Sequence, residues 1–516
     1  MKNRRQILSL TIILSLLISS SQKLINPIIP GFHPDPSIVR VENDYYIINS
    51  SFNYFPGVPI FHSKDLINWK QIGNVLDRES QLPLVNANSW TGIYAPTIRY
   101  NDGIYYMITT NIGNRGNFMV TTDDLSKPWS DPIWLNQGGI DPSLYFEDGK
   151  TYMVSNPDAT ITLCEINPKN GEQLTPSKGI WRGTGGRHPE GPHIYKKDGY
   201  YYLLISEGGT ELAHKLTIAR SKDIYGPYES NPNNPILTNC NMKGQSMQIQ
   251  GTGHGDFVQD VDGNWWITFL AYRNYGGSYH HIGRETFLAP VEWKEGEWPI
   301  INGGNAIDIE MDVPTPADKN PKDKRERIIN ENSPEWLYIQ NPNKENYKFE
   351  DGKLIMTASK SSLTDNNVPS FLGRRQESPS FYSETEIILE KLDKGVKAGL
   401  TLYQINDGHF DFSIRKNDDE TVEVVFGHTI KSLVGEKSVK IDNSVEKVKL
   451  KIKSFSDKYY FEYSIDDGDN YVQLDEQDVF LLSTEVVGGF TGLTIGMFAE
   501  GEGTVIFEYF DYTETE

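Results

Sequence analysis

A chain of 516 residues is too long for one compact core and divides into roughly two to four domains of ordinary size. Hydrophobic residues at 37% and aromatics at 12% supply enough apolar surface to fold, which excludes a disordered polymer. With 49 Lys and Arg against 70 Asp and Glu, the formal charge of −21 excludes nucleic acid or an anionic membrane as partners gripped through charge.

The chain opens with Lys2, Arg4 and Arg5, then an apolar run from Ile7 to Ile18 broken only by Ser and Thr, then Ser19-Ser20-Ser21. This pattern predicts a secretory signal over residues 1–21. The run is short of the ~20 residues that a membrane span needs, so no membrane insertion is expected. No cysteine follows it, which excludes lipid attachment at a lipobox, and the expected product is exported to the periplasm or the medium. Removing the three basic residues takes the charge to −21 − 3 = −24. Cys164 and Cys240 are too few for a disulfide scaffold and lack a C-x-x-C pair, so two buried thiols are expected rather than a bridge or a zinc site.

One pattern then recurs five times: a Pro or Gly, a small or polar residue, an apolar residue, a turn, and paired aromatics. It runs from Pro36 to Tyr45-Tyr46, Pro96 to Tyr105-Tyr106, Pro142 to Tyr152, Pro192 to Tyr201-Tyr202, and Gly255 to Trp265-Trp266. Asp102-Gly103, Asp148-Gly149, Asp198-Gly199 and Asp262-Gly263 sit between the halves of four copies. Asp-Gly supplies the positive φ angles of a tight turn, so each copy predicts a β-hairpin. A second repeat follows three of them: Ser63-Lys64-Asp65-Leu66, Thr122-Asp123-Asp124-Leu125 and Ser221-Lys222-Asp223-Ile224, placed in the outer strands and turn of each sheet. Four-stranded units of about 40–60 residues predict a five-bladed β-propeller over residues 26–303.

The rest of the chain differs. Of the ten tryptophans only Trp336 follows residue 300. Residues 304–327 are charged and proline-bearing, as a linker is. Beyond them Val448-Lys449-Leu450-Lys451-Ile452-Lys453 alternates strictly, predicting a strand with one wet and one buried face. Residues 328–516 carry no long helical period and predict a β-sandwich, so the fold class is all-β throughout.

A propeller places the start of each innermost strand beside the central axis. The residues just before the five repeat starts are Asp35, Ala95, Asp141, Gly191 and His254, with Glu190 one step earlier in the fourth. Three carboxylates and one histidine therefore converge on one axial end. Crowding of that kind lifts one carboxyl's pKa while another stays ionised, the requirement of glycoside hydrolysis.

Phe32-His33-Pro34-Asp35-Pro36-Ser37, Ile140-Asp141-Pro142-Ser143, Pro189-Glu190-Gly191-Pro192 and Gly253-His254-Gly255-Asp256 resemble glycoside hydrolase family 43 in its motif order. The later part, through Trp336, Asn341-Pro342 and Leu372-Gly373-Arg374-Arg375-Gln376, resembles the concanavalin A-like sandwich that follows many of the family's xylosidase-type propellers. The resemblance implies Asp35 as general base, Glu190 as general acid and Asp141 as the residue that raises the acid's pKa and orients it. It implies inversion at the anomeric carbon. It implies that Arg284 reaches a sugar hydroxyl or the acid's neighbourhood, and that Phe32 and Tyr94 line the pocket against a sugar face. His254 matches a family histidine that faces a structural calcium ion in several members, often through water; a hydrogen-bonded axial imidazole is the alternative. The mechanism requires no cofactor.

The expected activity is exo-acting release of a terminal pentose from plant hemicellulose or its oligosaccharides, with the sandwich packed on the propeller to close one side of the pocket. Tyr94 stands where xylosidase-like members show Trp, which favours α-L-arabinofuranose, with β-1,4-xylosidase as the alternative main activity. A non-catalytic glycan-binding propeller is the rival from another class, opposed by the intact carboxylate set. A retaining fructan-active propeller would place its acid in a Glu-Cys pair, whereas Gly191 follows Glu190 here.

Overall fold

The structure, a computed structural model, describes residues 22–240, 248–313, 329–455 and 457–515. The signal segment expected over residues 1–21 and most of the linker expected over 304–327 lie outside them.

All five hairpins form: Ser37–Val41 with Asp44–Ile48, Thr97–Asn101 with Ile104–Ile112, Ile140–Glu147 with Lys150–Asp158, Glu190–Lys197 with Tyr200–Glu207, and Ile249–Gln259 with Trp265–Arg273. In three turns both central residues are left-handed: Asp102 and Gly103 (φ 49° and 81°), Asp148 and Gly149 (50° and 74°), Asp198 and Gly199 (51° and 72°). That twist matches the flanking strands. Asp262-Gly263 differs, because the Asp260 carboxylate accepts from the N–H groups of Asp262 and Asn264 and builds a wider turn with only Gly263 left-handed. The second repeat is the turn between third and outermost strands. Ser63, Thr122 and Ser221 close the third strands, and their hydroxyls accept from the N–H groups of Asp65, Asp124 and Asp223.

Each hairpin extends outward into a sheet of at least four strands, and the five innermost strands pack side by side in a ring, the fifth against the first. This is a five-bladed propeller. Gln22–Ile25 pairs with Glu310–Val313, so the segment just after the last blade carries a strand that clasps the N-terminal segment.

A seven-stranded sheet and a six-stranded sheet make the sandwich that follows. Val448, Leu450 and Ile452 of the alternating strand Lys447–Phe455 point into its core, while Lys449 and Lys451 between them lie half-buried on the other face, paired with Glu386 and Glu384. Tyr338–Ile339 pairs with Tyr54–Phe55 of the propeller, and Phe32, Tyr54, Leu337, Phe371 and Tyr403 fill the seam. Backbones touch there: a Cβ on Gly283 would lie 2.7 Å from the Gly492 Cα. Both cysteines are free, but Cys240 is only half-buried, so the expectation of two buried thiols holds for Cys164 alone.

Candidate active site

The starts of the innermost strands are bulged. Register shifts fall between Ile140 and Ser143, between Glu190 and His193, and between Gly253 and Asp256. Asp35, Asp141, Gly191 and His254, which occupy equivalent repeat positions, all take left-handed conformations (φ 53°, 51°, 57° and 46°). Three of the four are not glycine, and such a conformation costs on the order of 1–3 kcal/mol each. It aims each side chain at the axis instead of across the sheet. In the fourth blade Gly191 takes the strained position, so the carboxylate comes from Glu190 one residue earlier.

These side chains meet in a pocket lined by Asp35, Phe52, Tyr94, Asp141, Glu190 and Phe490, among others. Asp35 is buried and accepts from the Ser50 hydroxyl and from Arg284 Nη1 at 3.2 Å, with His254 Nδ1 at 3.7 Å. Burial alone would raise its pKa. The opposing charges of Arg284 and His254 and the Ser50 hydrogen bond outweigh it and hold the carboxyl below its ordinary range. Among the described residues Asp141 accepts only the Gly191 N–H, at 3.3 Å. Burial, then the neighbouring charges of Glu190 and Asp35, push it well above the carboxylate range. Asp141 is buried whereas Glu190 is only half-buried, so Glu190 is the member of that pair facing an incoming ligand.

Arg284 is anchored on three sides: Asp35, Thr210 Oγ1 at 3.1 Å, and the Phe490 carbonyl at 3.0 Å. It therefore sits against Asp35, while Glu190's basic neighbour is His214, 3.3 Å away. Tyr94 lines the pocket, its hydroxyl donating to the Trp90 carbonyl at 2.6 Å. Phe32 does not reach the pocket, a correction to the sequence reading. The chain around it is tied to the strand carrying Arg284, with His33 N–H donating to the Arg284 carbonyl, and the Phe32 ring is buried in the seam 5.8 Å from Phe52. Phe52 takes the pocket position.

Sequence reasoning missed Phe52, Thr210, His214 and Phe490. Phe490 comes from the sandwich, in Gly488-Gly489-Phe490-Thr491-Gly492, and a run of glycines is the one signal that a close backbone approach was needed there.

The residues around His254 do not fit calcium. Its ring packs flat on Gly191, where a Cβ would lie 3.0 Å from the imidazole, and the nearest carboxylate is committed to Arg284. Deeper on the axis a cation is already present. The Arg99 guanidinium grips Asp256 at 2.8 and 3.1 Å and donates to His193 Nδ1 at 2.8 Å. Among the described residues no group of three or more His, Cys, Asp or Glu is arranged to hold a metal.

A family model described as glycosyl hydrolases family 43 matches residues 24–299, and one described as a beta xylosidase C-terminal concanavalin A-like domain matches residues 330–513. A Bacteroides ovatus protein named non-reducing end alpha-L-arabinofuranosidase is 37% identical over 520 residues, covering 96% of each chain. A Butyrivibrio fibrisolvens xylosidase/arabinosidase is 38% identical over 525 residues, covering 95% of this chain and 98% of its own. The crystal structure of a Bacillus halodurans xylan beta-1,4-xylosidase superposes with a TM-score of 0.88 at 32% identity, over 95% of this chain and 100% of that one.

Proposed function

The chain belongs to glycoside hydrolase family 43, and from that premise we propose that it is an exo-acting, inverting enzyme releasing terminal α-L-arabinofuranose from hemicellulose or its oligosaccharides. The observation that carries this reading is the pocket itself: three axial carboxylates on the propeller side, with Phe490 of the sandwich closing the other. A pocket walled by two domains admits a chain end or side branch and shuts out a chain interior.

Asp35 is the general base. Arg284 and Ser50 keep it ionised, so it can take a proton from water on one face of the sugar. Glu190 is the general acid, protonating the glycosidic oxygen on the opposite face as the bond to the anomeric carbon breaks. Burial and the neighbouring charges of Glu190 and Asp35 oppose ionisation of Asp141, which can therefore hold a proton beside the acid. Asp141 acts as the acid's reservoir and orienter. After turnover the proton gained by Asp35 leaves and Glu190 regains one, resetting the site.

Arabinofuranose over xylose rests on Tyr94 and on the name of the Bacteroides ovatus relative. The xylosidase named among the solved structures favours β-D-xylose as the second reading. Hydrolysis of 4-nitrophenyl α-L-arabinofuranoside and β-D-xyloside side by side separates them. The expected result is the higher kcat/KM on the arabinofuranoside; a reversed ratio reassigns the sugar, and binding without turnover of either makes the protein a glycan-binding propeller. We further propose export, from the residue 1–21 pattern, which N-terminal sequencing of the mature protein checks. Among the described residues no helix is long and apolar enough to cross a membrane.

A further inference from the structure

We infer that His214 is the positioning residue of the general acid: its neutral imidazole accepts the Glu190 proton's hydrogen bond through Nε2, keeping the acid protonated and aimed at the leaving oxygen. The inference deepens the proposed role of Glu190 and rests on it.

His214 is fully buried, on the segment that leads into the third strand of the fourth blade, Lys215–Ser221. Its Nδ1 lies 3.1 Å from the Gly251 carbonyl oxygen. A carbonyl only accepts, so Nδ1 carries the hydrogen, and the neutral ring's lone pair is on Nε2. That Nε2 lies 3.3 Å from Glu190 Oε1, short of an aligned hydrogen bond, and among the described residues it is buried with no other hydrogen-bond partner. Catalytic hydrogen bonds of this kind run long in ligand-free structures and tighten when substrate docks. The ring cannot swing away. A Cβ on Gly253 would lie 2.3 Å from His214 Cε1, so the imidazole rests directly on that glycine's backbone.

An ionised Glu190 would set its negative oxygen against the Nε2 lone pair, whereas a protonated Glu190 satisfies it. The geometry thus favours the protonated, hydrogen-bonding form of Glu190, the member that meets the sugar. The other ionisable groups acting on this corner are Asp35, His254 and Arg284; Asp35 and His254 both interact with the His214 ring through charge, while Arg284 is held by Asp35, Thr210 and the Phe490 carbonyl.

The test is His214→Asn, whose amide can still donate to Gly251 but is too short to reach Glu190, assayed on two substrates. A methyl pentoside needs its leaving oxygen protonated; a 4-nitrophenyl pentoside needs this far less. The expected result is a loss of kcat on the methyl pentoside of roughly tenfold or more, with kcat on the 4-nitrophenyl pentoside within about twofold. The basic limb of kcat/KM on the methyl substrate should move to lower pH. His214→Gln, whose amide oxygen can accept in the place of Nε2, should recover part of the loss, and it serves as the test variant if the Asn form does not fold. Equal losses on both substrates with an unmoved pH profile make His214 merely structural and overturn the inference. A basic limb moved to higher pH also overturns it, since His214 would then act as a cation. Glu190→Gln on the same two substrates separates the readings: if it shows no leaving-group dependence, the acid assignment itself fails.

Discussion

Two polar constellations share the propeller axis, built from positions two residues apart in the same strands. Asp35, Asp141 and His254 face the pocket, with Glu190 reaching it from beside Gly191. Ser37, His193 and Asp256, each two residues further along, face the channel beneath it together with Arg99 and Tyr195. In the lower set the single carboxylate is saturated. Asp256 accepts from Ser37 Oγ, the Ile38 N–H, Arg99 twice and Tyr195 Oη, and despite full burial its pKa is held down to about 2. In the upper set, among the described residues, three carboxylates have one guanidinium among them, and Asp141 has a single backbone donor. The same fold can neutralise a buried carboxylate fully, so the deficit above is a property of the chemistry. An acid that must hold a proton at neutral pH cannot be surrounded by donors that favour its anion. Stability is concentrated in the lower set and surrendered in the upper one.

Perturbing one member of each set should move different observables. Glu190→Gln and Asp35→Asn are expected to lower kcat by about 10²–10⁴-fold, the usual worth of a general acid or base. The thermal midpoint of Glu190→Gln should stay within a few degrees, because Glu190 is partly exposed and has no guanidinium partner among the described residues, whereas Asp35→Asn leaves the buried Arg284 uncompensated and should lower the midpoint as well. Steady-state kinetics beside a melting curve checks both. In the lower set Arg99→Met leaves the fully buried Asp256 charge without its guanidinium. Removing one partner of such a pair costs about 3–5 kcal/mol, read as a fall in the urea midpoint at constant m-value. The divide between the two sets fails if Glu190→Gln destabilises as much as Arg99→Met.

Much of this was legible before the structure. Repeat phasing placed Asp35, Asp141, Glu190 and His254 together because a propeller converts sequence period into angular position, and the Asp-Gly turns set the hairpin registers. Phe32 was misread for a local reason. It sits three residues before a catalytic position, yet the bonds to the strand of Arg284 turn it into the domain seam, and no pattern in the sequence reports that pairing. Phe490 lies some 300 residues beyond the last propeller carboxylate, and only docking of the sandwich brings it to the pocket. His214 has no repeat partner, so alignment of the blades could not raise it. Arg99 was hidden because it stands four residues past Ala95, the one repeat start that offers neither carboxylate nor imidazole.

The smallest expected effect is the most discriminating, since it asks whether the upper set is strained by charge. Asp141 has its pKa raised in the folded state, first by burial and then by Glu190 and Asp35. The folded protein therefore binds this proton more tightly than the unfolded chain does. The associated stability is complete below the unfolded value near 3.8 and is lost as pH rises through the folded value. Asp141→Asn keeps the shape and cannot ionise, so it escapes that loss. The variant should match the wild type in acid and become the more stable protein as pH climbs toward neutrality, by an amount on the order of 1–2 kcal/mol. Activity should fall in the same variant, because the reservoir for the Glu190 proton is gone. Urea denaturation of both proteins from pH 4 to 8 measures the difference. A constant offset across that range would mean that the crowded carboxylates are relieved by something other than a proton held on Asp141, and the contrast with the Asp256 cluster would reduce to hydrogen-bond count alone.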